Sequence, residues 1–302
     1  MLKKLRQDIR KNKAVYLLAI PVVLYYTIFH YLPMAGLSIS FLNYRPFKGI
    51  FGSEFIGLKN FIDFFTSRSC WTVIRNTFTL NVYDILIVFP TPIILALLLN
   101  ELRNKALKKG MQTAMYIPMF ISMVVLCGII KDFCESDGVI PQIIAALCGV
   151  ETGNLLMKPG LYKTIHVFSS LWQYAGWNSI VYVAAIGSIN MELYEAASVD
   201  GCGRWKRLFY VTLPGIAPTV ITMFILRSGK LMSAGYEKII LLYNPLTYET
   251  ADVISSYTYR MGLQNGDYGY ATAVGLFNAV LNLIILITAN KIARNRTGKG
   301  LW

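Results

Sequence analysis

Residues 15–42 read VYLLAIPVVLYYTIFHYLPMAGLSISFL and contain no Asp, Glu, Lys or Arg. The hydrocarbon core of a bilayer is about 30 Å thick, and a helix that rises about 1.5 Å per residue crosses it in roughly 20 residues. A charge-free block of this length therefore predicts a membrane-spanning helix. The basic residues before it fit the head of a signal peptide, but the apolar run exceeds the usual ~7–15 residues and no small-residue cleavage motif follows closely. We therefore expect an uncleaved first span.

The composition of the whole chain indicates the same class of protein. Of its 302 residues, 55% are hydrophobic and only 15% are charged, whereas a soluble globular chain carries about 25% charged residues. We predict an all-α polytopic membrane protein that forms a single transmembrane domain over residues 1–302. Its six transmembrane helices are expected near residues 15–42, 77–99, 111–130, 164–189, 214–232 and 271–290. The fifth is the weakest, because it reaches full length only by including Arg227 and Lys230.

The distribution of basic residues predicts the orientation of the chain. With the N-terminus inside, the cytoplasm receives an N-terminal segment, 1–13, and the segments 101–110, 190–213 and 291–302. Together they hold 17 of the 29 Lys and Arg residues but only 5 of the 16 acidic residues. The positive-inside rule predicts this asymmetry for a multi-pass membrane protein with both termini in the cytoplasm. The bilayer thus accounts for the net charge of +13, and no nucleic-acid partner is expected.

Sequence motifs for catalysis are missing. Both Gly-Lys pairs, at 229–230 and 298–299, lack the Ser or Thr that completes a phosphate-binding loop. His30 and His166 are the only histidines, which gives poor support to a zinc site or a His-based triad. The five cysteines form no CxxC pair and are expected to pack as small apolar residues. We therefore expect no catalytic residue, no metal site and no cofactor bound by this chain.

The segment between the fourth and fifth apolar blocks carries the most specific signal. Residues 190–214 read NMELYEAASVDGCGRWKRLFYVTLP. Asn190 is a favourable N-cap and Gly201 a favourable helix stop, so a short helix is predicted between them. A second short helix, rich in Arg and aromatic residues, is expected to follow, with Pro214 in the first turn of the next span. An ordinary amphipathic interfacial linker is the alternative interpretation.

The spacing of this segment resembles the cytoplasmic loop of the integral membrane subunits of binding-protein-dependent ABC importers. The pattern of that family is EAA, three residues, Gly, nine residues and Ile-x-Leu-Pro. The chain has Glu195-Ala196-Ala197, then Gly201, then residues 211–214 with Val in place of Ile. Asp200 suits the sugar-importing branch, in which Ala is frequent at the position of Cys202. Further stretches resemble permeases for complex polysaccharide fragments, at residues 14–33, 47–52, 57–61 and 268–272.

The resemblance implies a type I ABC importer permease fold with six spans, in the bacterial cytoplasmic membrane. It also implies a complex with a second homologous permease, two ATPase subunits that bind ATP and magnesium, and an extracellular binding protein that delivers an oligosaccharide. Residues 190–213 would then be the cytoplasmic coupling loop. Glu195 would meet a basic residue of the ATPase, and Gly201 would form the bend. The full set assigned to coupling is Glu195, Ala196, Ala197, Asp200, Gly201, Arg204, Leu213 and Pro214.

Polar residues inside the apolar blocks are candidates for the substrate path. A sugar presents hydroxyl groups and flat C–H faces, so its path requires aromatic rings and hydrogen-bonding groups. The candidates are Asp84, Trp172, Gln173, Tyr174, Trp177, Asn178, Asn278 and Asn282. Alternatively, these residues hold helices together, and the Trp and Tyr rings form an interfacial belt. Asp84 is costly within a span and should face a cavity or a partner.

Two other classes of protein remain as alternatives. A secondary transporter driven by an ion gradient is expected to show inverted repeats and several intramembrane acids, but the sequence shows one clear acid and no convincing repeat. A membrane-embedded enzyme requires a cluster of His, Asp or Glu within the spans, which the sequence lacks. The predicted external segments, 132–163 and 234–270, are either solvated loops or, as the resemblance implies, the receiving surface for the binding protein.

Overall fold

The computed structural model describes residues 11–298, 300 and 301. Its residues divide into two compact units, Met1–Phe65 with Met261–Leu276, and Thr66–Arg260 with Phe277–Trp302. Most of the predicted cytoplasmic segment 1–13 lies outside the described residues. The single domain over residues 1–302 stays a prediction.

The first unit is built on one long helix and a small strand pair. Its elements are α1 (Lys13–Phe41), β1 (Leu42–Asn43), two helical turns (Pro46–Lys48 and Gly49–Gly52), β2 (Glu54–Phe55), α2 (Lys59–Thr66) and the beginning of α12 (Tyr268–Thr297). The strands are antiparallel, with Leu42 opposite Phe55, and are a small exception to the all-α prediction. Asn60 of α2 fixes the end of α1 because its side-chain N–H groups donate to the carbonyls of Ser40, at 2.9 Å, and Leu42, at 3.2 Å.

The second unit is helical in the residues that the structure describes. Its helices are α3 (Arg68–Glu101), α4 (Lys105–Phe120), α5 (Met123–Cys134), α6 (Val139–Cys148), α7 (Pro159–Gly187), α8 (Met191–Val199), α9 (Arg204–Ser228), α10 (Tyr236–Leu242), α11 (Ile254–Tyr259) and the remainder of α12. Short helical turns at Leu155–Met157, Pro245–Thr247 and Tyr248–Ala251 complete it. A π-helical turn at Arg260–Gln264 begins at residue 260 of this unit, and its other residues belong to the first unit.

Helix length and composition support four or five of the six predicted spans. Within residues 11–298, four helices are long and apolar enough to cross a membrane, namely α1, α3, α9 and α12. A fifth span results if the bent pair Lys105–Phe120 and Met123–Cys148 is counted as one. The 29-residue α7 is long enough, but polar residues such as Gln173 and Asn178 lower its hydropathy. The sixth span therefore stays a prediction.

The helix bounds also correct several predicted blocks. The block at 77–99 is the inner part of α3, and the block at 271–290 is the inner part of α12. The fourth block begins earlier, at Pro159, and the fifth ends at Ser228, before the expected 232. Apolar blocks underestimate helix length because helices continue into the polar flanks as long as their backbone hydrogen bonds are made.

The predicted third span, 111–130, is broken in the structure. Ile121 has an extended backbone, and Pro118 lies in a short 3₁₀ turn just before it. Ser122 then caps α5 by accepting a hydrogen bond from the N–H of Val125. The two halves are bent by 97° as a result. The sequence carries the necessary signal, since Pro and Ser favour a helix end and a helix start.

Three long helices continue through a proline by widening the backbone just before it. A π-helical turn ends two residues before the proline in each case, with Thr27–Tyr31 before Pro33, Asp84–Val88 before Pro90, and Leu208–Thr212 before Pro214. The residue directly before the proline donates to the carbonyl five residues earlier, as Phe89 does to Asp84 at 2.8 Å. The wider turn makes room for the proline ring and re-pairs the backbone, so the helix does not end.

The core of the second unit forms around α7. This helix packs along Pro90–Glu101 of α3, and the shared cluster contains Ala96, Tyr182, Ile186 and Ile216. At Gly176, α7 approaches α4 so closely that a Cβ atom would collide with the carbonyl of Met115. A second cluster, which joins α5, α7 and α10, includes Cys127 and Cys134. Both are buried free thiols, as the packing prediction requires, whereas Cys148 is exposed and does not fit that prediction.

Candidate functional site

The first candidate site is the elbow, which we define as residues 190–214. Asn190 caps α8 by accepting the N–H of Glu192 at 3.1 Å. At the other end, Gly201 has a φ of +73°. Its N–H donates to Ser198 at 3.1 Å, and that of Cys202 donates to Ala197 at 2.9 Å. These two bonds define a Schellman motif, which requires a left-handed residue at the glycine position. The predicted helix and its stop at Gly201 are confirmed.

The second arm of the elbow differs from the prediction. Arg204–Arg207 does not form a separate short helix, because it continues through the π-helical turn into Leu213–Ser228. Pro214 consequently lies inside α9 and not in the first turn of a new helix. The widened turn explains why the proline does not break the helix. The elbow is therefore a direct extension of a long apolar helix.

Two side-chain contacts hold the arms of the elbow together. The hydroxyls of Tyr194 and Thr212 are 2.9 Å apart, and the guanidinium of Arg207 donates to the Ser198 hydroxyl at 3.1 Å. No role was predicted for these four residues from the sequence. Their signal is weak, because the partners are 18 and 9 residues apart. The contacts fix α8 on the beginning of α9.

The assigned coupling residues present a mixed surface. Glu195, Ala196, Asp200, Gly201, Arg204 and Pro214 are exposed, and Ala197 and Leu213 are half-buried. Large apolar side chains around them are also exposed, including Leu193, Trp205, Phe209 and Tyr210. A carboxylate among exposed apolar groups is the composition expected of a docking surface.

The second candidate site is a cavity of about 710 Å³ between α3, α7, α9 and α10. Four substrate-path candidates are in its wall: Asp84, Tyr174, Trp177 and Asn178. The other polar residues of the wall are Asn81, His166, Ser170, Arg227, Lys230, Ser233 and Lys238. Binding sites for small ligands have volumes of about 300–1,000 Å³, so the cavity has the size of such a site.

Four other candidates lie outside this wall. Trp172 is half exposed, and Gln173 is buried. Asn282 accepts the N–H of Met232 at 2.9 Å and donates to the Ser233 hydroxyl at 2.9 Å, so it holds the turn that follows α9. This is the helix-joining role that the sequence left open for such residues. The side-chain oxygens of Gln173 and Asn278 are buried without a hydrogen-bond partner among the described residues.

Asp84 forms an ion pair with Arg227 across α3 and α9. The carboxylate lies at the start of the π-helical turn of α3, and it also lines the cavity. Asp84 therefore has both of the predicted environments, since it faces a cavity and also has a charged partner. From the sequence, Arg227 was only a charge that weakened the prediction of the fifth span. One acid and one base within two apolar blocks are themselves a signal for pairing.

Lys238 is the other cation of the cavity wall that was not predicted from the sequence. It is only 4% exposed. Its ammonium donates to the carbonyl of His166 at 3.0 Å and to the hydroxyl of Ser170 at 2.8 Å. Burial lowers the pKa of Lys238 to about 8, so the side chain is charged in most molecules at neutral pH.

The segment after α10 is packed against α3. Up to residue 260, the predicted external segment 234–270 is therefore not a solvated loop. Asn76 donates to the carbonyls of Glu249, at 2.9 Å, and Asp252, at 3.1 Å. The hydroxyl of Thr77 accepts the N–H of Ile254 at 2.9 Å. Arg260 pairs with the Asp252 carboxylate and lies 4.8 Å from the centre of the Tyr248 ring. The described part of this segment is therefore an ordered surface.

Comparisons with known proteins agree on one family. Residues 88–297 match the family model described as "Binding-protein-dependent transport system inner membrane component". Protein LplB of Bacillus subtilis is 40% identical over 295 residues, which cover 97% of this chain and 92% of LplB. The polygalacturonan/rhamnogalacturonan transport system permease protein YteP of the same organism is 37% identical over 300 residues, or 99% and 94% of the two chains.

A solved structure has the same fold over the whole chain. It is a bacterial alginate ABC transporter in complex with a periplasmic protein that carries an alginate pentasaccharide. One of its chains superimposes with a TM-score of 0.89 at 40% identity, and the match covers 98% of this chain and 99% of that one.

Proposed function

The chain belongs to the family of binding-protein-dependent transport system inner membrane components, and we propose that it forms half of the path of an oligosaccharide importer. It is a multi-pass inner-membrane permease subunit of an ABC transporter. The hydrolysis of ATP takes place on a separate chain. The other half of the path is a second permease, and an extracellular binding protein delivers the oligosaccharide. Two ATPase subunits bind ATP and magnesium on the cytoplasmic side, where both termini of this chain lie.

The cavity is the observation that carries the assignment of the substrate. Tyr174, Trp177 and Asn178 lie on one face of α7 and contribute both rings and an amide to its wall. Aromatic faces suit the C–H faces of a sugar ring, and amide and hydroxyl groups suit its hydroxyls. The relatives named for polygalacturonan and alginate carry saccharides, which supports the same substrate class here.

The elbow is the proposed docking site for the ATPase. Its Schellman motif and its two side-chain contacts make it stiff, and α9 continues from it without a break. A displacement of the elbow would therefore be passed along α9 to Arg227, which lines the cavity. In this proposal Glu195 meets a cation of the ATPase, and the small side chains of Ala196 and Ala197 permit close approach.

Crosslinking of the complete importer tests this assignment. Cys202 is first replaced by Ser so that the elbow has no thiol, and Ala196→Cys is then introduced. A short reagent with a maleimide at one end and a photoreactive group at the other should link this cysteine to the ATPase subunit. The control is Glu135→Cys, which lies on an exposed residue of the predicted external segment and should form no such link. A link from the control and none from the elbow would refute the assignment.

Uptake measurements separate the proposal from an ion-gradient mechanism. Inner-membrane vesicles that contain the full complex should take up oligosaccharide only when ATP is supplied on the side of the membrane where the ATPase lies. Uptake that persists without ATPase subunits and stops when the proton gradient is collapsed would favour a secondary transporter instead.

A further inference from the structure

The charges in the cavity wall do not balance. Among the described residues, the charged groups of the wall are Asp84, Arg227, Lys230 and Lys238. Asp84 is the single acid of the four, and it forms its ion pair with Arg227. Its carboxylate also acts on the ammonium of Lys238, but the three cations of the wall still exceed its one acid by two charges. Such an excess of positive charge, with one of the ammonium groups buried, favours the entry of an anion.

We propose that Lys238 and Lys230 form a carboxylate-binding subsite, and that the oligosaccharide carried by this permease contains uronic acid residues. The inference rests on the proposed function, since it assigns the chemical class of the same cargo. A uronic acid is a sugar ring whose C6 is a carboxylate, so it requires both a ring-binding surface and a cation. The cavity contains both.

Lys238 is held in place by neutral groups. Its ammonium has three N–H donors, and two of them are used by the His166 carbonyl and the Ser170 hydroxyl. These bonds fix the position of the nitrogen but do not neutralise its charge. Burying an ammonium that has no hydrogen-bonded carboxylate is unfavourable, and a Met of similar length would pack there without that cost. A bound carboxylate would use the remaining donor and supply the missing charge.

The stripe of α7 that faces the cavity places the ring-binding groups next to this cation. His166, Ser170, Tyr174 and Asn178 are spaced at intervals of four residues and all line the wall. Tyr174 is thus four residues, or about 6 Å of helix rise, beyond the serine that accepts a hydrogen bond from Lys238. A sugar ring against Tyr174 or Trp177 would have its carboxylate within reach of the ammonium.

The alternative is that Lys238 only joins α10 to α7. The two roles differ in what they predict for charge. A purely structural lysine would affect all sugars equally, whereas a carboxylate-binding lysine would affect acidic sugars alone. Lys230 is an independent test because it is exposed and its replacement does not disturb a buried contact.

The experiment measures ATP-driven uptake in proteoliposomes that contain the complete importer and its binding protein. The probes are the trimers of galacturonic acid and of mannuronic acid, each compared with the neutral trimer obtained by reducing its carboxyls to alcohols. Wild type should take up at least one acidic trimer faster than its reduced counterpart. Lys230→Gln should lower that ratio about three- to fivefold, and Lys238→Met about tenfold or more. Lys238→Arg, which keeps the charge, should stay within about threefold of wild type, and Lys131→Gln, outside the cavity, should match wild type.

The outcomes distinguish the two proposals. The subsite is refuted if neither acidic trimer exceeds its reduced counterpart, or if Lys230→Gln and Lys238→Met slow acidic and neutral trimers by the same factor. Uptake of any trimer that requires no ATP would instead refute the assignment as an ATP-driven importer. Should Lys238→Met fail to assemble, the ratio measured with Lys230→Gln still decides the question.

Discussion

Two neighbouring glycines allow a sharp test of the elbow as a mechanical part. Gly201 has a φ of +73°, whereas Gly203 has a φ of −67° that any residue adopts. At both positions the space that a Cβ would enter is open, with nothing within 4 Å. Gly201→Ala and Gly203→Ala therefore add the same methyl group to open space and differ in backbone strain. The left-handed conformation costs a residue with a Cβ about 1–2 kcal/mol.

The strain should act locally. A cost of about 1–2 kcal/mol lowers the population of the bent elbow relative to competing conformations by a factor of about 5–30. The elbow is exposed, so this cost is expected to loosen it without unfolding the membrane-embedded helices. Gly201→Ala should therefore insert normally but lose most of its ATP-driven uptake. Gly201→Asn should retain more uptake, because Asn tolerates the left-handed region better than Ala.

The assay compares uptake and ATP hydrolysis in the same proteoliposomes. We expect Gly203→Ala to match wild type in both, and Gly201→Ala to hydrolyse ATP with little uptake. Equal uptake by the two alanine variants would refute the reasoning, since it would show that the left-handed bend contributes nothing to coupling. A loss of Gly201→Ala from the membrane would also contradict it, because the strain would then be global.

Three further perturbations follow from the contacts described above. Glu195→Lys should lower ATP-driven uptake at least tenfold and abolish co-purification of the ATPase, and Glu195→Gln should have a smaller effect on both. Normal co-purification of the ATPase with the Glu195→Lys variant would contradict the docking role. Asp84→Ala should destabilise the purified complex by about 1–3 kcal/mol, because it leaves Arg227 unpaired. In a double-mutant cycle, the variant that also carries Arg227→Met should lose less unfolding free energy than the sum of the two single losses, and strict additivity in thermal unfolding would exclude a stabilising pair. Asn282→Ala removes two hydrogen bonds and should cost about 1–2 kcal/mol of unfolding free energy, whereas Asn295→Ala, exposed on the same helix, should cost almost none.

The elbow shows how far local sequence rules reach. An N-cap, a short helix and a left-handed glycine act over a dozen residues, and the structure has all three where the sequence predicts them. The rule for Pro214 failed because a proline at the start of a helix and a proline after a π-helical turn look alike in sequence. Which of the two forms depends on whether the preceding residues can widen the helix, and Leu208–Thr212 do so.

The cavity shows where local rules stop. Polar residues in apolar blocks were identified as a group, but only four of the eight candidates line this cavity. Asn278 and Asn282 are both candidates, and they are four residues apart on the same face of one helix. Asn282 forms hydrogen bonds with Met232 and Ser233, and Asn278 does not take part in those bonds. The position of a residue on a helix face predicts which side chains are neighbours, but not what the facing helix presents to them.

The sequence by itself determined the solvent, the helical class, the elbow and the family. Hydropathy and the spacing of Glu195, Gly201 and Pro214 depend only on residues close together in the chain, and the charge asymmetry is a sum over segments that does not depend on how the helices pack. Tertiary structure alone decided that Asp84 meets Arg227, 143 residues away, and that Lys238 meets His166, 72 residues away. The physical reason is that such contacts depend on the packing directions of several helices at once. The charge balance of the cavity, and with it the proposed cargo, became visible only there.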